Sequence, residues 1–234
     1  MIEKNDLLKD ILSLNESLEK VTHQFDFGDI NEEKKLEEIC KEKGIDVDFF
    51  IEILNIFNNT DYFPKLQLGS FPIPIIIDYL KKTHKYYLNK RLLEIEQSIT
   101  LSYSNEILKN FLQNSFLIMK QDLVEHIRYE EGTLFPYINQ LYKSFTTGKP
   151  LSLPEKLKGY SINTFEKSHT DDVENNILEV KKYIIQSSPN VVDLSPYRVL
   201  LNQLDSFEQE LRVHALVEDE ILIPKAKILE KTIA

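Results

Sequence analysis

The sequence has one cysteine, Cys40, no tryptophan, and only six glycines among its 234 residues. A single thiol rules out an intrachain disulfide, and a thiolate-held zinc or iron–sulfur site within one chain goes with it. Such sparing cysteine use suits a reducing compartment. Scarce glycine fits a helical protein better than a sheet-rich one. Long hydrophobic runs are missing too. The most apolar stretch, FPIPIII at 71–77, is too short to span a bilayer and carries two prolines. The N-terminus, MIEKNDLLKD, lacks the apolar centre of a secretory signal. A cytoplasmic protein with no membrane partner is expected. Positive charge is in deficit: 28 Lys and Arg stand against 38 Asp and Glu, for a formal net charge of −10. That balance repels phosphate and excludes nucleic acid as a partner, while favouring solubility.

What remains is apolar residues spaced for helices. With 42% apolar and 28% charged residues, the chain is globular in composition and long enough to bury a core. Residues 1–60 read as a small helical N-terminal domain. Leu7, Ile11, Leu14 and Leu18 repeat at three and four, a second helix runs over 32–43 and ends near Gly44, and a third covers 48–57. Residues 61–73 are rich in turn formers and read as a linker. From 74 to 234 the periodicity predicts four long helices, over 74–99, 104–146, 155–187 and 196–230. Their core stripes are Ile77-Leu80-His84-Leu88-Ile95, Phe116-Met119-Leu123-His126-Glu130-Leu134-Tyr137-Leu141, Ile162-Phe165-His169-Val173-Ile177-Val180, and Leu200-Leu204-Phe207-Leu211-His214-Glu218-Ile221-Ile228. Short loops between long amphipathic helices predict an all-α fold, an antiparallel four-helix bundle. Pro136 should kink the second helix or interrupt one of its backbone bonds.

Four of the five histidines lie one to a helix on those stripes. Two of them carry a glutamate four residues later: His126 with Glu130 in HIRYE, and His214 with Glu218 in HALVE. A spacing of four puts both groups on one helix face. A single histidine on an apolar stripe is more often a hydrogen-bonded core residue, and a lone His-x-x-x-Glu pair is usually a surface pair. Four histidines on four consecutive helices, with both glutamates in phase with the core, point to one interior site. Buried carboxylates need a compensating charge, and a pair of cations supplies it. Two metals could each take two imidazole nitrogens, with Glu130, Glu218 and a solvent-derived oxo or hydroxo group bridging them. One octahedral position on each metal stays open. Mixed nitrogen and oxygen ligands suit iron or manganese better than a closed structural zinc site. His23 falls off the stripes and reads as a surface or turn residue. Glu131 has the wrong phase, and Glu125 and Glu166 are candidate supporting or proton-relay groups. HIRYEEGTLFP at 126–136 and HALVEDEILIP at 214–224 also echo one another, each with proline ten residues after the histidine.

These residues resemble the haemerythrin-like superfamily, and more closely its repair of iron centres family of di-iron proteins. HIRYEEGTLFP is similar to that family's His-x-x-x-Glu-Glu-x-x-Leu-Phe-Pro signature, HALVEDEILIPKA to its last-helix signature, and GDINEEKKLEEICKEKGIDVDFFIEILN to its small N-terminal domain. The resemblance implies two iron ions held by His84, His126, Glu130, His169, His214 and Glu218, both glutamates bridging. It implies a role in nitrosative and oxidative stress, as repair of damaged iron–sulfur clusters or reduction of nitric oxide. The implied activity is of the nitric oxide reductase or iron-donating type. Nitric oxide and oxygen are the implied ligands, iron–sulfur client proteins the implied partners, and a monomer or homodimer the implied assembly. A non-catalytic oxygen or redox sensor, or an iron store or donor, is the other expectation. An oxygen-carrying haemerythrin would add a fifth histidine, and the bundle stripes hold none. The family's adjacent cysteines after an Asp-aromatic pair are missing: Gly28-Asp29 follows Asp26-Phe27, and Cys40 lies elsewhere.

Overall fold

A computed structural model describes residues 1–15, 17–59, 68–101, 106–168, 172–187 and 195–233. Among these the chain is all-helical, with no strand and one isolated bridge between Leu7 and Lys35. No helix among them is long and apolar enough to cross a membrane.

Four short helices open the chain: α1 (Leu8–Leu12), α2 (Ser17–Gln24), α3 (Leu36–Lys43) and α4 (Val47–Asn58). The first apolar stripe, predicted as one helix, is two. Asn15 interrupts it, its Oδ1 accepting the Ser17 N–H at 2.9 Å, and Leu14 is left exposed. Helix α3 stops where the sequence indicates, at Gly44, which adopts φ 66 at no steric cost and returns its N–H to the Cys40 and Lys41 carbonyls. Asp46 caps α4 by accepting the Phe49 N–H at 3.0 Å.

Three long helical runs follow, each broken once by a π turn. Helix α5 (Ile73–Tyr86) passes through Tyr87–Arg91 into α6 (Leu92–Leu101), and α7 (Glu106–Tyr129) passes through Glu130–Leu134 into α8 (Phe135–Thr147). The segment predicted as the third bundle helix begins later than expected. Glu155–Leu157 is a 3-10 turn, Gly159 takes φ 78, and α9 (Ile162–Ser168) starts where Ser161 Oγ accepts the Thr164 N–H. Helix α10 (Asp172–Ser187) continues that segment, and α11 (Ser195–Val217) passes through Glu218–Leu222 into α12 (Ile223–Ile233).

Two of the π turns have a visible cause. Pro136 and Pro224 lack an N–H, and their rings clash with the carbonyl four residues back in a regular helix. The residue before each proline instead reaches five back: Phe135 N–H bonds Glu130 O, and Ile223 N–H bonds Glu218 O. A π turn takes in about one extra residue, which rotates everything downstream by about 100°. Ile228, predicted on the core stripe, is accordingly 65% exposed, and Ala226 and Leu229 are buried in its place.

The chain divides into two compact units, Met1–Tyr86 with Val213–Lys225, and Tyr87–Arg212 with Ala226–Ala234. In the first, α2 packs on α4 and α5 through Phe25, Phe50 and Tyr79, with ring centroids at 4.6 and 5.4 Å from Phe25. The turn Glu218–Leu222 lies against α5. In the second unit α7 packs on α6 and α10, and Phe111 stacks on Tyr183 at 3.7 Å. Tyr137 OH donates to Glu230, which also accepts the Ile162 N–H, so that α8, α9 and α12 are tied at one carboxylate.

Candidate metal centre

Each unit carries part of the predicted ligand set. In the first, His84 sits in the last turn of α5 and His214 near the end of α11, 1% and 5% exposed. Their rings lie 4.8 Å apart between centroids, with the two Nε2 atoms 3.3 Å apart. The other nitrogen of His214, Nδ1, is 2.8 Å from Thr83 Oγ1. Glu218 begins the π turn that follows α11, is 1% exposed, and places Oε2 3.7 Å from His214 Nε2. In the second unit, His126 on α7 sets Nε2 2.5 Å from Oε1 of Glu130, the first residue of its own π turn. Glu130 is fully buried, and His126 keeps a quarter of its side chain in solvent. The four-residue spacing thus does what helix geometry requires in both pairs.

His84, His214 and Glu218 gather in the first unit and His126 with Glu130 in the second, and these histidines and glutamates could hold a metal ion. His169, the remaining predicted ligand, lies outside the described residues.

The chemistry of the donors fits a cation. A buried carboxylate held away from water costs several kcal/mol as an ion, and a positive charge beside it offsets that cost. Two imidazoles that face each other through Nε2 present lone pairs to a shared point when each carries its proton on the other nitrogen. Imidazole with carboxylate is a donor set of divalent transition metals. Both carboxylates start a π turn, a local geometry found often at functional sites.

Glu131 is exposed, as its phase predicts. Glu125 is exposed too, and Glu166 pairs with Lys227 at 2.5 Å, so neither supports the ligands. His23 is half-buried and pairs with Glu19 at 3.9 Å. Tyr86, Tyr87 and Tyr137 are buried packing residues, while Tyr129 is partly exposed. Cys40 is buried, and burial first, then the nearby Asp46, pushes its thiol up to about 12. It offers no thiolate near neutral pH.

Two features were missed in the sequence. Thr83 was hidden by its own ordinariness beside His84. The second is a buried ion pair between Arg91 and Glu210, with side chains 4% and 1% exposed and 3.2 Å between Nε and Oε1. Arg91 also donates to Glu94 Oε2 at 2.9 Å and to the Gln203 carbonyl at 3.0 Å, and Tyr87 OH donates to the Glu210 carbonyl. A signal existed: Glu210 lies four residues before His214 and therefore on the same helix face. No protein-family model matches the chain, and no curated protein does.

Proposed function

We propose that this chain is a haemerythrin-like di-iron protein of the nitrosative and oxidative stress response, acting in iron–sulfur cluster repair or nitric oxide reduction. In this reading the long helical runs make an antiparallel four-helix bundle. Iron would be held by His84, His126, Glu130, His169, His214 and Glu218. The observation that carries the reading is that two buried glutamates, Glu130 and Glu218, each open a π turn and each stand beside the histidine four residues before. That both would bridge the irons rests on the resemblance.

Bound iron would supply one-electron chemistry and exchangeable positions for nitric oxide or oxygen. The chain's own residues do the rest. Leu123, Leu134, Leu211 and Ile221, in the same helical runs as the ligands, are buried, and so are both carboxylates. His126 Nε2 stands beside a carboxylate oxygen of Glu130, so an imidazole and a carboxylate donor reach the same point. With Cys40 buried and protonated, the proposal puts no step on a thiol.

Metal analysis of the protein as isolated, with a visible spectrum before and after nitric oxide, tests the reading. About two irons per chain and a spectrum that changes on nitric oxide addition are expected. Protein isolated without metal, or an iron-loaded form that reacts with neither nitric oxide nor oxygen, would refute it.

A further inference from the structure

Thr83 is fully buried in α5, one residue before His84. Its hydroxyl has a single proton, and Oγ1 donates it to the Leu80 carbonyl at 2.7 Å, an oxygen one turn back in the same helix that can only accept. Toward His214 Nδ1, 2.8 Å away, the oxygen therefore offers only a lone pair. With the hydroxyl proton on Leu80, this hydrogen bond forms when Nδ1 carries the hydrogen. A neutral imidazole has one N–H, so Nε2 of His214 is left with its lone pair. Nε2 is the atom that faces His84 Nε2 at 3.3 Å and Glu218 Oε2 at 3.7 Å.

We propose that Thr83 is a positioning residue that fixes the tautomer and ring angle of His214, so that Nε2 is presented as a metal donor. The inference rests on His214 being a ligand, as proposed above. The opposite tautomer would set an N–H toward the other ligand atoms and bring the Nδ1 lone pair against the threonine oxygen. Relief would require the Thr83 hydroxyl to turn away from Leu80. The β-branched side chain has few rotamers in a helix, and the bond to Leu80 selects among them. One helix position thus aims the acceptor for His214 while the next supplies the second imidazole.

The test uses Thr83→Val, which keeps the shape and removes the acceptor, and Thr83→Ser, which keeps the hydroxyl. The first readout needs no metal. Long-range nitrogen–proton NMR of the metal-free protein at about pH 8, above the ordinary imidazole range, is expected to show His214 protonated on Nδ1 in the wild type and in Thr83→Ser. Thr83→Val should lose that preference. The second readout is zinc affinity by chelator competition, expected to fall about 10–100-fold in Thr83→Val and to stay near wild type in Thr83→Ser. A wild-type His214 protonated on Nε2 would overturn the proposal even if Thr83→Val failed to fold. So would a Thr83→Ser protein that loses as much affinity as Thr83→Val. Should the wild type bind no metal, the metal reading fails, and the tautomer measurement still decides what Thr83 does to His214.

Discussion

Glu130→Gln changes one atom, removes one buried charge and leaves the shape of the side chain alone. Its effect should depend on whether metal is present. Without metal, the glutamine amide still reaches His126 and no charge is left buried, so the variant should be at least as stable as the wild type. With metal the two proteins should part. A ligand at 100 times its Kd stabilises a fold by about 2.7 kcal/mol. Loss of a supporting contact alone can weaken metal binding about 100-fold, and Glu130 is a fully buried candidate ligand beside His126. At the same free metal the variant would then be stabilised by only about 0.4 kcal/mol. The difference, about 2.3 kcal/mol, corresponds to roughly 5–9 °C in Tm for a chain of this size. Thermal melts of wild type, Glu130→Gln and the exposed control Glu131→Gln, each with chelator and with buffered free zinc, measure it directly. Zinc reports on the same ligands without redox chemistry. Equal metal-induced shifts in wild type and Glu130→Gln would refute the assignment of Glu130 as a ligand.

Two further outcomes follow from groups away from the metal ligands. Arg91→Met leaves Glu210 buried without its cation and should cost about 3–5 kcal/mol in urea unfolding, whereas Arg91→Met with Glu210→Leu should recover most of it; a single variant that loses less than about 1 kcal/mol would show the pair to be dispensable. Burial, chiefly, and then Asp46 raise the Cys40 thiol from an ordinary 9.0 to about 12, so the folded state holds that proton more tightly than the unfolded one. The resulting stability is fully present below about pH 9 and declines as pH rises toward about 12. Urea midpoints taken across that window should fall less steeply for Cys40→Ala than for the wild type, and parallel slopes would contradict this.

Much of the helical layout was legible in the sequence because apolar spacing reports directly on which face meets a core. The runs over 73–101, 106–147 and 195–233 begin and end within a few residues of where their stripes do. The two His-x-x-x-Glu pairs were legible for the same reason: four residues of α-helix bring the two side chains together whatever surrounds them. Periodicity fails where the helix itself changes. Pro136 and Pro224 were visible, and the π turns they cause were not, so Ile228 was assigned to the core and lies in solvent. Asn15 split an unbroken leucine stripe through one side-chain bond to the backbone. Arg91 could not be recognised as buried, because an arginine earns burial only from partners more than a hundred residues away, here Gln203 and Glu210. Thr83 was illegible for a subtler reason. Its role depends on where one proton points, which follows from Leu80 and His214 together and from neither alone.

The turns at Glu130–Leu134 and Glu218–Leu222 bear on anyone who would move this constellation to another scaffold. Copied onto straight α-helices, each histidine and glutamate would still meet across four residues, and the graft would look faithful at the ligands. The next layer would not follow. Leu222 and Ile223, or Leu134 and Phe135, would swing about a quarter of a turn from the faces they cover here. A transplant therefore has to carry the proline and the extra residue along with the ligands, ten residues from histidine to proline as one indivisible cassette.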